Sequence, residues 1–310
     1  MIQPAKKPQK QQGMALMVTL WVCILLSVIV SSFSFSSRTE MIQTRAVLDR
    51  VQARYAAQAG VHMAAYQLSH RNQELAWQGD GRLYKVPFEQ TELEIRIHND
   101  SGKLNLNRVD AETLQRLLTS LNLQQPVEPL VDRILDWRDS DHDPRLQGAE
   151  DDAYRAAGYA YGAKDAPFET LDELQQVMGI DYDLYRRLAP AFTLYSSSTQ
   201  PNLAVAPKSV LLSLPDVDPS FADMFIQHRQ SRQGDEPLLA LPDGKIPPLR
   251  RGGKVYTIAV KARLTNGVWT EIITTVRLDL RQRPGHPPFT ALSWQEIAWQ
   301  ENILDSNPLE

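Results

Sequence analysis

The sequence has almost no cysteine: a single one, Cys23, in 310 residues. No disulfide can form within the chain, so the fold depends on its packed core and any bound ion. It has no excess of positive charge either. The formal net charge is -4, which gives no electrostatic footprint for nucleic acid or an anionic membrane surface. Catalytic signatures are missing: there is no G-x-S-x-G, no H-E-x-x-H and no phosphate-binding Walker loop. The six histidines are scattered, with no i,i+4 pair. These absences point away from an enzyme. The passage Leu214-Pro215-Asp216-Val217-Asp218 has acids where a helix-hairpin-helix DNA module needs glycines, and its surroundings are not basic. Nucleic acid is therefore not an expected partner.

Charge is also missing locally. No residue between Lys10 and Arg38 is charged, and Met14 to Phe35 is a run of about 22 mostly apolar residues, roughly 33 Å of helix and long enough to cross a bilayer. That exceeds the apolar core of a cleaved secretory signal. Lys6, Lys7 and Lys10 precede the run without an acid, whereas Arg38 and Glu40 nearly cancel after it. The positive-inside rule puts the N-terminus in the cytoplasm and the bulk of the chain outside. No proline interrupts Met14 to Leu68, so one helix of about 55 residues is expected, its outer half rich in alanine.

From Leu83 to His98 the period becomes two. In Thr91–His98, Leu93, Ile95 and Ile97 share one face, with Glu92, Glu94, Arg96 and His98 opposite, as in a half-buried strand. Strands return with Tyr256–Leu264, an Asn266-Gly267 hairpin signal, a return strand from Val268 to about Leu280, and a short strand Phe289–Trp294. The fold class expected is α+β: a long N-terminal helix, an antiparallel sheet and a large mostly helical domain inserted between strands. The expected divisions are 1–13, a leader; 14–37, a transmembrane helix; 38–102, helix continuation and first strands; 103–252, the insertion; and 253–310, returning strands and tail. Inside the insertion, Asp110 and Thr170 are candidate helix N-caps. The proline-rich segment from Arg232 to Arg251 reads as a loop or mobile link.

The densest polar cluster runs from Asp132 to Asp152, eight carboxylates among Arg133, Arg138 and Arg145. Asp139, Asp141, Asp143 and Glu150 occupy positions 1, 3, 5 and 12 of an EF-hand spacing, but Pro144 stands where that loop needs glycine. The expectation is a calcium loop outside the EF-hand class, drawing ligands from Asp139, Asp141, Asp143, Glu150, Asp151 and Asp152. The competing reading is a solvated acidic loop with arginine pairs, each worth about 0–1 kcal/mol.

Two resemblances follow. The basic leader, Gly13 and an apolar helix starting at Met14 resemble the type III signal of prepilins and pseudopilins. That resemblance implies cleavage by a prepilin peptidase between Gly13 and Met14, with methylation of the new N-terminus. Second, Leu135-Asp136-Trp137-Arg138-Asp139, then Asp141, Asp143-Pro144, Gly148-Ala149-Glu150-Asp151 and Tyr154 look like the K-type minor pseudopilin of type II secretion systems, the GspK family. Leu104-Asn105-Leu106-Asn107 and Pro167-Phe168-Glu169-Thr170-Leu171-Asp172-Glu173-Leu174 resemble it too. The resemblance implies calcium bound in the insertion and a place at the tip of a periplasmic pseudopilus that exports folded proteins. It implies as partners the I and J minor pseudopilins, with H close by, and an inner-membrane secretion platform. Most pseudopilins carry glutamate at mature position 5; here it is Val18. The alternative is a signal-anchored periplasmic binding protein or enzyme with no fibre.

Overall fold

A computed structural model describes residues 12–70, 76–232, 236–250, 252–279 and 287–298. The chain divides into two compact units, Met1–Gln52 and Ala53–Glu310. Most of the expected leader and the residues after Ala298 lie outside the described residues, as do Leu280 and most of the link after Arg232 up to Glu236.

Helix α1 runs Gln12–Leu68. In the first unit its large apolar side chains are exposed, from Leu16 through Phe35, and the helix is long and apolar enough to cross a membrane. Its hydroxyls bond back along the helix, Thr19 to the Leu16 carbonyl at 2.9 Å and Ser27 to the Cys23 carbonyl at 2.8 Å. In hydrocarbon such groups would find no other partner.

In the second unit the rest of α1 presents a stripe of small residues. Ala53, Ala56, Ala57, Val61, Ala64 and Ala65 are buried at three- and four-residue spacing. They cover a five-stranded antiparallel sheet made of β1 (Asp80–Phe88), β2 (Thr91–Asn99), β5 (Val255–Leu264), β6 (Trp269–Leu278) and β7 (Phe289–Ala298), in the order β1-β2-β5-β6-β7. Leu93, Ile95 and Ile97 of β2 stand opposite Ala262, Val260 and Ile258 of β5, and all six are buried under the helix. Gly60 sets the helix–sheet distance, because a Cβ there would lie 2.6 Å from Val260 Cγ1. On the other face Lys85, Glu94, Lys261 and Glu271 form one transverse row of alternating charge, the pairing that cross-strand neighbours favour. Trp269 lies on that face, half-buried beneath the Lys261 ammonium. β7 is longer than the expected Phe289–Trp294. Gln295 to Ala298 continue the ladder against β6 even though their own alternation is weak.

Everything between β2 and β5 forms a second core. Helices α2 (Ala111–Ser120), α3 (Glu128–Arg138), α4 (Asp151–Ala156), α5 (Tyr182–Leu188), α6 (Lys208–Leu211) and α7 (Pro219–Ser231) pack around Leu114, Leu118, Ile134, Tyr154, Phe192 and Phe225. Asp110 caps α2 through the Thr113 N–H at 2.8 Å. Thr170 is an N-cap as well, in a capping box with Glu173, but the helix it starts is a 3-10 helix, Leu171–Gln176. That tighter winding brings residues i and i+3 onto one side, so Leu171 and Leu174 both reach the core. A two-stranded parallel pairing, β3 (Leu104–Asn105) with β4 (Phe192–Thr193), was not expected; two residues carry no readable period. The proline-rich segment is not a free link. Leu238 is buried, and Leu239 and Leu241 pack on the same core.

A buried ion pair joins the insertion to the sheet. Lys103 Nζ lies 3.0 Å from Asp100 Oδ1, with both side chains buried. Asp100 also accepts from the hydroxyls of Thr257 on β5 and Thr193 on β4, each at 2.7 Å. With these donors in place the buried carboxylate is satisfied from both sides of the junction.

Candidate metal centre

The acidic segment is shaped by α3 and by the loop that follows it. Leu130, Val131, Ile134 and Leu135 fasten α3 to the core, which leaves Asp132 and Asp139 half-buried and Asp136 buried against the loop that follows. Asp136 is fully buried and accepts the backbone N–H groups of Arg145 (3.2 Å) and Ala149 (2.9 Å), while Arg145 Nε lies 3.2 Å from its other oxygen. Asp132 accepts the Gln147 N–H at 3.0 Å. These bonds fold the loop back over the helix. Gly148 is required there, since any Cβ would collide with the Asp136 carboxylate.

The returning loop delivers Glu150 to the start of α4. Glu150 is 7% exposed, and no described residue donates to either of its oxygens. Asp165 arrives from a separate loop, with its backbone in the left-handed region at φ 53°, a conformation Asp tolerates better than most residues. Next to it, Lys164 is tied to Glu173 at 2.8 Å, and Glu173 also accepts the Thr170 N–H at 2.9 Å. One Asp165 oxygen contacts His142 Nδ1 at 2.9 Å, and the other is buried with no donor among the described residues. One ligand atom each from His142, Glu150 and Asp165 lie within 4.8 Å of one another. Asp139, outside that group, has a buried oxygen without a donor among the described residues and acts on Glu150 through its charge.

The electrostatics agree with the geometry. Burial, then the charges of Asp165, Asp136 and Asp139, push the Glu150 carboxyl up to about 7. Burial and Asp141 push Asp139 up as well, with Arg145 opposing. Carboxylates held together without donors need a cation or protons. Four unsatisfied oxygens from Asp139, Glu150 and Asp165 suit a hard divalent ion, which takes six to eight oxygens.

Of the sequence candidates, Asp139 and Glu150 come within electrostatic reach of each other. Asp141 flanks Asp139 and accepts the Asp143 N–H at 3.1 Å. Asp143 is exposed. Asp151 and Asp152 point to Arg155, at 2.6 and 2.9 Å. Asp165 and His142, which are not among the sequence candidates, join Glu150 in this cluster. Asp165 lies beyond the acidic run and belongs to no helical or strand period, so only the tertiary fold brings it to Glu150. Gly13 and Met14 lie within α1, and Val18 is on its exposed apolar surface.

A family model described as "Type II secretion system (T2SS), protein K" matches residues 97–197, the stretch that builds this pocket. Over that stretch the chain is similar to the type II secretion system protein K family. Similar proteins include the type II secretion system protein K of Klebsiella pneumoniae, 30% identical over 58% of this chain and 62% of that one. That of Pseudomonas aeruginosa is 32% identical over 46% of each chain. That of Pectobacterium carotovorum subsp. carotovorum is 27% identical over 88% of this chain and 92% of its own. The chain thus spans less than two thirds of the first two relatives. The GspK-GspI-GspJ complex from enterotoxigenic Escherichia coli contains a chain of the same fold, with TM-score 0.57 and 20% identity over 83% of this chain and all of that one.

Proposed function

We propose that the chain is a minor pseudopilin seated at the tip of the type II secretion pseudopilus, where it nucleates fibre assembly for export of folded proteins and catalyses no reaction itself. The observation that carries this reading is the position of the helical insertion. It interrupts a helix-plus-sheet scaffold between the adjacent strands β2 and β5, and bulk on that scaffold obstructs a further subunit stacking above it. Val18 supports the same position. A carboxylate at mature position 5 can neutralise a neighbour's N-terminal amine in an apolar setting; the outermost subunit has no such neighbour to neutralise. The partners are then the I and J minor pseudopilins, which the solved complex of the relative names, with H close by and the inner-membrane platform below. The N-terminus is cytoplasmic, α1 is the single inner-membrane span, the bulk is periplasmic, and a prepilin peptidase cuts between Gly13 and Met14.

Within this reading the acidic pocket is a calcium site. Asp139, Glu150 and Asp165 would hold the ion, with Asp141 beside them, and the bound ion would supply the positive charge that their unsatisfied oxygens lack. Its role is to fasten the loop after α3 to the distant loop around Asp165.

N-terminal mass spectrometry of the protein from its native membrane tests the assignment, followed by crosslinking to the I- and J-type partners. A mature chain beginning at N-methylated Met14 is expected. A chain still beginning at Met1 beside an active prepilin peptidase would mean a plain signal anchor. Fibres carrying the protein along their whole length would overturn the tip position.

A further inference from the structure

The pocket is not made of oxygen alone. His142 Nδ1 sits 2.9 Å from an Asp165 oxygen, and the His142, Glu150 and Asp165 donors lie within 4.8 Å of one another. Glu150 supplies the polar side chain that is buried, unpartnered and directed into this group. Calcium, a hard cation, makes little use of an imidazole. A borderline ion such as zinc takes nitrogen and carboxylate oxygen together, in four-coordinate sites that often keep one position for water. One imidazole and two carboxylates make three such donors.

We propose that this is a two-way cation site, in which calcium is held by the carboxylates and a zinc-type divalent ion competes for the same pocket by recruiting His142. This rests on the carboxylate pocket proposed above and adds a specificity-determining residue to it. His142 decides which class of ion the pocket can hold. Its side chain is 78% exposed, so it can swing onto or away from an ion without disturbing the core. Imidazole suits zinc, whereas the hard alkaline-earth ions take oxygen ligands, so a site with one imidazole and two carboxylates favours zinc over calcium, and without the imidazole that preference weakens.

The test is calorimetric titration of the tag-free, detergent-solubilised full chain with Zn2+ and, separately, with Ca2+. Wild type, His142→Ala and Glu150→Gln are compared, with Co2+ absorption as a second readout. Wild type should bind both ions, with zinc displacing calcium. His142→Ala should weaken zinc at least about tenfold, the scale set by disturbing a ligand shell, while calcium binding stays within about twofold on the same grounds. The visible band of four-coordinate cobalt should disappear in His142→Ala. Equal zinc affinity in wild type and His142→Ala overturns the proposal, as does a wild type that binds calcium but not zinc. A wild type that binds neither ion overturns the carboxylate pocket as well, so the two failures can be told apart. Because His142 is exposed, an unchanged melting temperature in His142→Ala will show that the variant is folded.

Discussion

Replacing Glu150 with glutamine should move the stability of the cation-free and cation-loaded protein in opposite directions. The Glu150 carboxyl is held up to about 7 against an ordinary value of 4.5, chiefly by burial and by Asp165. Below pH about 4.5 it is protonated in the folded and the unfolded chain alike, so it costs nothing. As the pH rises from about 4.5 to about 7, the unfolded chain ionises while the folded one resists, and stability falls across that window. Above it the loss is complete. The difference corresponds to about 3 kcal/mol at most, and to about 2 kcal/mol once solvent screening at the exposed mouth is allowed for. Glutamine has nothing to ionise and keeps the shape. In chelator at pH 8, Glu150→Gln should therefore melt about 4–8 °C above wild type, taking about 2–4 °C per kcal/mol for a unit of this size. At pH 4.5 the two should coincide. Calcium should reverse the order. Saturation at a hundred times Kd would add about 2.7 kcal/mol to wild type, and the variant, without the buried ligand, should gain little. Scanning calorimetry in chelator and in millimolar calcium, at both pH values, makes the comparison. If the variant is no more stable than wild type in chelator at pH 8, or gains as much from calcium, Glu150 is not an uncompensated ligand and the reasoning is wrong.

Other consequences follow from the same contacts. Asp100→Ala should cost about 3–5 kcal/mol in thermal or denaturant melts, because it leaves Lys103 charged and buried; a loss below about 1 kcal/mol would show that the junction is hydrated. Gly148→Ala should displace the loop from Asp136 and weaken calcium on the order of tenfold, by analogy with other disturbed outer shells, and titration would read this directly. Gly60→Val should push α1 from β5, at about 1–3 kcal/mol; if it melts like wild type, the close approach at Val260 is not needed.

Some of this was legible in the sequence because the signals are local. The charge-free run from Lys10 to Arg38 marked the apolar helix. Alternation from Thr91 to His98 marked β2, and Asn266-Gly267 marked the hairpin joining β5 and β6. Asp110 identified the start of α2 by its side-chain chemistry. The carboxylates on α3 and the loop after it were visible as a dense cluster, but their roles were not. Asp136, Asp151 and Asp152 look as acidic as Glu150 in sequence. Asp136 is nonetheless taken up by backbone N–H groups, and the other two by Arg155.

What the sequence determined by itself was therefore the long apolar helix, the strands with a clear period, and the presence of a concentrated negative charge. Those follow from neighbours within a turn or two of the chain. Only the tertiary structure decided which charges go unsatisfied. Asp165 meets Glu150 because Tyr154, Phe168 and Leu174 share one core, and Lys103 meets Thr257 because β5 returns beside β2 after the insertion. Burial and partnership depend on residues far apart in the chain, so a linear pattern could list the carboxylates without saying which ones lack a counter-charge.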